Sequence, residues 1–204
     1  TRYVTADGTA DGVVSSFHLA EDEVAAEAEL ERRARMDDLT GLLNRREVFD
    51  RLESLINTGV TGGGPHLAVC FIDVDDFKSY NDSFGHHIGD DILRNLATDV
   101  RAVLRAGDLA ARVGGDEVLV VLSGVTAAKQ AVKLAEALRT RVATTRRVDG
   151  TDLQVRVSIG VALAEPGESV DAVVERADHA MYRAKVSGGN RVVAASVVRK
   201  SATA

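Results

Sequence analysis

The chain has 204 residues and a formal net charge of −6 at pH 7, with 45% hydrophobic and 27% charged residues. This balance is typical of a globular protein with one ordinary domain and additional segments. The acidic charge, the aromatic content of 4% and the absence of tryptophan argue against a general nucleic-acid-binding protein, which needs a basic surface and stacking aromatics.

No apolar run approaches the length of a membrane span, and no charged segment followed by an apolar segment opens the chain as in a signal peptide. The single cysteine, Cys70, lies within the apolar run 67–72, where a small buried hydrophobe is expected rather than a nucleophile. We therefore expect a cytoplasmic protein without a membrane segment.

The first 38 residues are predicted to precede the main domain. Residues 1–18 read as a short hairpin with an Asp-Gly turn, which is expected to be the last part of an upstream domain because so short a hairpin is not stable alone. This turn and its closing strand resemble the end of a PAS sensor domain. Residues 19–38 predict a mostly polar helix, which is either a solvated linker or one strand of a coiled coil.

Residues 39–195 predict the compact domain, followed by a tail over 196–204. Apolar residues at helical spacing predict helices over Glu47–Ile56, Asp90–Leu104, Ala127–Val142 and Val170–Lys185. Strands are predicted over His66–Asp73, Leu109–Ala111, Val118–Leu122, residues 153–164 with a break at Gly160, and Arg191–Ala194, and residues 61–65 form a loop. This order predicts an α/β sandwich with a mainly antiparallel central sheet flanked by helices.

The turn of the predicted hairpin carries two glycines followed by two carboxylates, in the order Gly114, Gly115, Asp116 and Glu117. Glycines permit positive φ and the close approach of a ligand, so such a tip can hold a phosphate on backbone N–H groups and a divalent cation on the carboxylates. A solvated turn explains the same residues equally well, since glycine and aspartate are common in turns.

A second acidic group ends the predicted buried strand at Asp73, with Val74, Asp75 and Asp76 following. A carboxylate at the end of a buried strand is costly unless it is paired or binds a metal. Together with the hairpin acids it predicts an oxygen-rich site suited to Mg²⁺ or Mn²⁺. We interpret Asp76 as a cap of the following helix, whereas capping and function both remain open for Asp75.

Three polar residues after these acids are candidate nucleotide contacts. Lys78 offers a cation to phosphates, although it is equally explained as a surface lysine. Asn81 and Asp90 offer a pair that reads a guanine base, since a carboxylate accepts from the guanine N1–H and the exocyclic amine together, a discrimination worth ~1–3 kcal/mol. Taken singly, Asn81 is explained by a turn and Asp90 by a helix cap.

Six motifs in order resemble the GGDEF domain of diguanylate cyclases, over roughly residues 36–193. They are the segments Asp38–Arg46, Asp73–Lys78, Asn81–Asp90, Gly114–Glu117, Ser158–Ala162 and Ala177–Lys185. The resemblance implies a fold similar to class III nucleotidyl cyclases and polymerase palms. It also implies Mg²⁺-dependent condensation of two GTP into cyclic di-GMP with release of pyrophosphate, in a homodimer whose two domains face each other.

The resemblance further implies a role for individual residues of this chain. Asp73, the Val74 carbonyl and Asp116 would hold the metal ion, and Glu117 would be a further ligand or help to activate the 3′-hydroxyl. Asn81 and Asp90 would read guanine, while Lys78 and Lys185 would contact phosphates. The nucleophile is then the hydroxyl of the substrate, which agrees with a chain that shows no Ser/His/Asp or Cys/His arrangement.

An inhibitory product site is implied by Arg105 and Asp108, which resemble the RxxD motif of the family. A guanidinium grips a guanine edge or a phosphate in a bidentate fashion, and a carboxylate accepts guanine N–H groups. The same residues are also explained by an arginine near a helix C-terminus followed by a Gly-Asp turn.

Three positions depart from the family pattern. Val118 replaces the phenylalanine of the signature, which is expected to alter packing with little chemical loss. Gly189 stands where the family has an arginine that contacts GTP phosphates, and Ala137 stands where an additional arginine often serves the inhibitory site. These departures keep open an alternative function, in which a catalytically weakened GGDEF domain binds GTP or cyclic di-GMP as a regulatory module.

Overall fold

A computed structural model describes residues 30, 32–60, 67–125, 127–143, 146–148, 150–165 and 167–196. Several predictions made from the sequence lie outside these residues. They are the hairpin over 1–18 with its PAS-like turn, most of the helix over 19–38, the loop over 61–65, and the tail after residue 196.

Two compact units divide between Met36 and Asp37. In the first unit residues 32–35 are helical, and Met36 is already outside the helix. The helix therefore ends before residue 38, where the sequence predicts its end. The second unit contains all the predicted site residues.

A six-stranded sheet forms the centre of the second unit. Its strands are β1 (Leu43–Asn44), β2 (Ala68–Val74), β3 (Leu109–Arg112), β4 (Glu117–Leu122), β7 (Val157–Leu163) and β8 (Val192–Ala194), in the order β1-β3-β4-β2-β7-β8. A separate hairpin joins β5 (Arg146–Val148) to β6 (Thr151–Leu153). The pairs β3–β4, β4–β2 and β2–β7 are antiparallel, whereas the outer pairs β1–β3 and β7–β8 are parallel. The sheet is therefore mainly antiparallel, as predicted.

Five helices surround this sheet within the described residues: α1 (Arg45–Val60), α2 (Phe77–Phe84), α3 (His86–Val103), α4 (Ala128–Val142) and α5 (Val170–Val186). Two apolar clusters fill the space between the helices and the sheet. One contains apolar residues of α3 and α4, and the other contains apolar residues of α1 and α5. The predicted layered α/β architecture, with helices flanking the sheet, is confirmed.

The central strand β2 is buried along its whole length because it serves both clusters. Cys70 and Ile72 belong to the cluster of α3 and α4, whereas Val69 and Phe71 belong to the cluster of α1 and α5. This division follows from the alternation of side chains along a strand. Cys70 is buried as predicted, and its burial raises the pKa of the thiol to about 12.

The predicted helices are present, but several begin or end elsewhere. Helix α3 begins at His86 rather than Asp90, and the short helix α2 before it was not predicted. The predicted strand over 153–164 is divided between β6 and β7, and β7 continues through Gly160 without a break. None of the described helices is long and apolar enough to span a membrane.

Gly160 allows helix α5 to lie directly on strand β7. A Cβ atom at this position would overlap the Ala177 carbonyl oxygen and the Met181 backbone nitrogen. The glycine is therefore a packing requirement inside a continuous strand, which explains why it does not interrupt the strand as the sequence predicts.

We expect Gly160→Ala to destabilise the domain by about 3 kcal/mol, because the added methyl group meets backbone atoms that cannot move independently. Gly115→Ala is the matched control, since no heavy atom lies within 4 Å of the position its Cβ would take. Urea unfolding of both variants measures the difference. Equal midpoints for the two variants would contradict the close packing of α5 on β7.

Candidate active site

The acidic residues meet at one end of the central sheet because of its strand register. Asp73 lies opposite Glu117 in the β2–β4 pair and opposite Ser158 in the β2–β7 pair. Asp73 is buried, whereas Asp116 and Glu117 are half-buried. The sequence places these acids in separate segments, and the register of β2 and β4 brings them to adjacent strands.

Lys185 is the cationic partner of this acidic group. Its Nζ atom lies 2.5 Å from Asp73 Oδ1, near the C-terminal end of α5. Burial raises the pKa of Asp73 to about 6, an effect that Lys185 opposes and that the neighbouring Asp116 and Glu117 carboxylates reinforce. The ammonium group therefore offsets only part of the cost of burying this carboxylate.

The Glu117 side chain folds back over the hairpin turn. A Cβ atom on Gly114 would overlap Glu117 Oε2, so Gly114 makes room for this carboxylate. Burial raises the pKa of Glu117, and the Asp116 and Asp178 carboxylates raise it further. Neither Gly114 nor Gly115 has a positive φ, so backbone conformation requires neither glycine, and the close approach of the Glu117 carboxylate accounts for Gly114.

The donor set fits a magnesium ion that is shared with a substrate. Within the described residues, no three His, Cys, Asp or Glu side chains converge as a preformed metal cage. Mg²⁺ usually takes one or two carboxylates and completes its shell with water and substrate phosphates. Asp73, Asp116 and Glu117 offer carboxylates of that kind, and the Val74 carbonyl stands at the end of the same strand.

Asp75 has a bracing role that the sequence left open. Its Oδ1 accepts a hydrogen bond from the Ser158 hydroxyl at 2.6 Å, and its Oδ2 accepts one from the Asn190 backbone N–H at 2.7 Å. Asp75 thus ties the end of β2 to β7 and to the loop after α5. Asp76 occupies the N-cap position of α2 as predicted, but its φ is 57° and its side chain makes no capping hydrogen bond.

The Asn81 side chain lies against the first turn of α3, at the residue before Asp90. Asn81 Oδ1 lies against Gly89, where a Cβ atom would overlap it, and Asp90 follows Gly89 in the chain. Asp90 lies inside α3, whose N-cap is Gly85, so the helix-cap explanation of Asp90 is wrong. Asn81 lies inside α2 rather than in a turn, and Lys78 is exposed on the first turn of the same helix.

The predicted product site lies after α3. The Asp108 carboxylate accepts hydrogen bonds from the backbone N–H groups of Arg105 and Ser123, both at 2.9 Å. Arg105 lies beyond the C-cap Leu104 and is exposed. Asp108 therefore shapes the turn, and the Arg105 side chain remains accessible to a ligand.

An unforeseen contact ties the hairpin to the start of the domain. Arg112 donates to the Gly115 carbonyl from Nε and Nη2, at 3.0 and 2.7 Å, and its Nη1 lies 3.3 Å from Asp37 Oδ2. Burial opposes ionisation of Asp37, but hydrogen bonds from Thr40 and the charge of Arg112 lower its pKa overall. This chain of contacts fixes the turn that carries Asp116 and Glu117.

A sequence profile described as the GGDEF domain of diguanylate cyclases matches residues 34–191. The chain therefore belongs to the GGDEF family, as its motifs indicate. Its sequence is 42% identical over 161 residues to the response regulator PleD of Caulobacter vibrioides, which covers 77% of this chain and 35% of PleD. It is 40% identical over 185 residues to the diguanylate cyclase DgcM of Escherichia coli K12, which covers 87% of this chain and 42% of DgcM.

The structure is also similar to solved GGDEF structures. The coiled coil and GGDEF domain of DgcB from Caulobacter crescentus, in complex with c-di-GMP, superposes with a TM-score of 0.82 and 32% identity, covering 90% of this chain and 97% of that chain. The present chain spans less than half the length of PleD and DgcM. These relatives establish the family and the fold.

Several residues that shape the site were missed from the sequence. Asp178 and Arg45 both act on the charge of Glu117, from α5 and α1 respectively. Arg112 braces the hairpin from β3. Arg112 stands directly before the signature, and Arg45 and Asp178 lie within two of the motif segments, but helix packing is what brings the latter two close to Glu117.

The raised pKa of Asp73 predicts that this residue reduces stability at neutral pH. Between the ordinary value of 3.8 and about 6, the native state binds more protons than the unfolded state, so the contribution of Asp73 to stability falls as pH rises through this window. Asp73→Asn removes this effect. We expect its stability advantage over the wild type to grow by on the order of 2 kcal/mol between about pH 4.5 and pH 8.

Urea unfolding at the two pH values measures this change. Asp82→Asn on α2 serves as the control, because Asp82 is exposed whereas Asp73 is buried. A constant difference between wild type and Asp73→Asn at both pH values would refute the interpretation.

Proposed function

We propose that this domain is a diguanylate cyclase that condenses two GTP molecules into cyclic di-GMP. In each step a 3′-hydroxyl attacks the α-phosphorus of the other GTP, the bond to the β-phosphate oxygen breaks, and pyrophosphate and a proton leave. The observation that carries the proposal is the register of β2 and β4, which sets Asp73 beside Glu117 with the Lys185 ammonium against Asp73. Family membership and the name of the relative DgcM support it.

The proposed chemistry relies on positioning and charge, as is general for phosphoryl transfer. Asp73, Asp116, Glu117 and the Val74 carbonyl would hold Mg²⁺ or Mn²⁺, which would neutralise charge on the phosphates. As an alternative to binding the metal, Glu117 would help to activate the 3′-hydroxyl by accepting its proton. Lys78 and Lys185 would contact phosphates.

Guanine selection is proposed for Asn81 and Asp90. The contact of the Asn81 amide with Gly89, the residue before Asp90, supports a joint role for this amide and the Asp90 carboxylate. The carboxylate accepts from the two adjacent guanine donors, and adenine cannot present the same pair. Gly115 leaves the hairpin turn open to the substrate, since no heavy atom lies within 4 Å of its Cβ position, while Gly114 makes room for the Glu117 carboxylate.

The ring-closing reaction requires two bound GTP molecules that face each other. Each domain offers one such site, and we therefore propose that two copies of the chain form the active homodimer. The rate per molecule is then expected to rise with protein concentration until dimerisation is complete.

Incubation with GTP and Mg²⁺, followed by chromatographic separation of the nucleotides, tests this function directly. We expect cyclic di-GMP and pyrophosphate from the wild type, and a loss of at least about a hundredfold in rate for Glu117→Gln, which removes one charge at constant shape. Glu175→Gln is the control, since Glu175 is exposed on α5 and lies next to His179.

Absence of cyclic di-GMP at high protein concentration would overturn the cyclase proposal. If GTP nevertheless bound, the chain would act as a nucleotide-binding regulatory module. Equal rates for Glu117→Gln and the wild type would remove Glu117 from the proposed chemistry.

Product inhibition is proposed at Arg105 and Asp108. The DgcB structure contains c-di-GMP, and the exposed Arg105 side chain here lies next to a turn that Asp108 stabilises. A guanidinium binds phosphate or the guanine edge in a bidentate manner. Ala137 lacks the further cation often found in the family, so we expect product binding to depend strongly on Arg105.

Arg105→Ala is therefore expected to weaken cyclic di-GMP binding roughly tenfold or more, because it removes a charge-assisted contact. Calorimetry with cyclic di-GMP measures this change. Arg46→Gln is the control and should retain wild-type affinity, because Arg46 is exposed on α1 and pairs with Asp50. Unchanged binding in Arg105→Ala would place the product elsewhere.

A further inference from the structure

A cleft of about 340 Å³ lies beside Lys185, next to the acidic group. It is lined by Asp75, Asp76, Tyr80, Arg156, Lys185 and the pair Gly188–Gly189. Lys185 connects this cleft to the proposed metal site, since its ammonium group contacts Asp73. The proposed metal site and the cleft therefore adjoin each other at Lys185.

Arg156 contributes a cation to this cleft that the function described above does not use. Its backbone is fixed just before β7, because its carbonyl accepts a hydrogen bond from the Asp75 N–H at 2.9 Å. The side chain is exposed, and among the described residues no hydrogen bond or ion pair occupies its guanidinium. Burial raises the pKa of the Tyr80 phenol, and the nearby Arg156 charge opposes that rise.

The other arginines around the loop after α5 are already engaged. Arg191 Nε donates to the Gly189 carbonyl at 3.2 Å, and Arg191 does not line the cleft. Arg139 Nη1 donates to the Asn190 side chain at 3.0 Å, and its Nε lies 2.7 Å from Glu136. Arg156 is thus the arginine of this region that both lines the cleft and keeps its guanidinium available.

The loop itself is unsuited to carry an arginine at position 189. Gly189 has a φ of +67°, and a Cβ atom there would lie 2.8 Å from Asp75 Oδ2. That oxygen also accepts the hydrogen bond from the Asn190 N–H, which holds the loop on the sheet. A larger residue at 189 would therefore strain the loop or displace its brace, so a second cation has to come from another element.

The charge of the cleft supports a role for Arg156 in binding an anion. Two carboxylates, Asp75 and Asp76, and two cations, Lys185 and Arg156, line it. Without Arg156 the lining would carry a net negative charge, and Lys185 is already close to Asp73. A polyphosphate would be repelled by such a surface, since charges in a partly enclosed site are weakly screened.

We propose that Arg156 binds the polyphosphate of GTP in this cleft together with Lys185, as a substrate-binding residue supplied by the segment before β7. This inference rests on the proposed function, because it takes GTP as the substrate. It assigns the cleft to the β- and γ-phosphates, which lie beyond the reacting α-phosphorus. Arg156 thereby supplies the positive charge that Gly189 does not.

Calorimetry with a non-hydrolysable GTP analogue in the presence of Mg²⁺, and with GMP, tests this assignment. We expect Arg156→Gln to weaken binding of the triphosphate about tenfold while changing GMP affinity little, since GMP lacks the outer phosphates. Arg156→Lys should recover part of the loss because it restores the charge without the bidentate geometry. Arg51→Gln is the matched control, because Arg51 pairs with Glu47 on α1 and does not line the cleft, and it should bind the analogue like the wild type.

The outcomes of this experiment distinguish a failure of the proposed function from a failure of the Arg156 assignment. A wild type that binds no GTP analogue would overturn the proposed function together with this inference. A wild type that binds the analogue, with Arg156→Gln binding it equally well, would overturn the assignment of Arg156 alone. An equal loss of GMP and triphosphate affinity in Arg156→Gln would also overturn it, because the effect would not be specific for the outer phosphates.

Discussion

The position of one buried carboxylate, Asp73, at the end of the central strand is the constraint on which the site depends. Strand β2 is buried on both faces, so its register with β4 and β7 cannot slip without moving apolar side chains out of both clusters. That register sets Glu117 and Ser158 beside Asp73. The apolar core therefore maintains the geometry of a polar site that is itself costly to bury.

Around this carboxylate, cationic side chains lie close to the acidic residues and to the cleft. Lys185 lies against Asp73, Arg112 joins Asp37 to the hairpin, and Arg156 faces the cleft next to Lys185. Asp73 nevertheless keeps a raised pKa, which means that the protein alone does not fully stabilise its ionised form. A buried carboxylate whose negative charge is only partly stabilised by the protein is characteristic of sites that bind a positively charged ligand or metal ion.

Much of the fold and part of the site were predictable because they follow local patterns. The helical spacing predicted α1, α3, α4 and α5, and the apolar runs predicted β2 and the β3–β4 hairpin. Gly160 was misjudged because a glycine in a strand weakens it locally, whereas here it admits the backbone of α5. The helix cap, the alternative explanation for Asp90, is wrong because α3 begins a turn earlier, at His86. Arg156 carried no local signal, since only the pairing of β7 with β2 brings it to the cleft.

The sequence by itself determined the family, the order of the elements and the identity of the acids, because these are properties of motifs and of periodic apolar residues. Only the tertiary structure decided which polar side chains brace the fold and which face a ligand. Asp75 and Asp108 are bound to neighbouring donors, while Arg105 and Arg156 remain exposed. Whether a polar side chain is bonded or exposed depends on hydrogen-bond partners that come from distant segments of the chain. Strand register and the packing of helices on the sheet decide which of these segments lie close together.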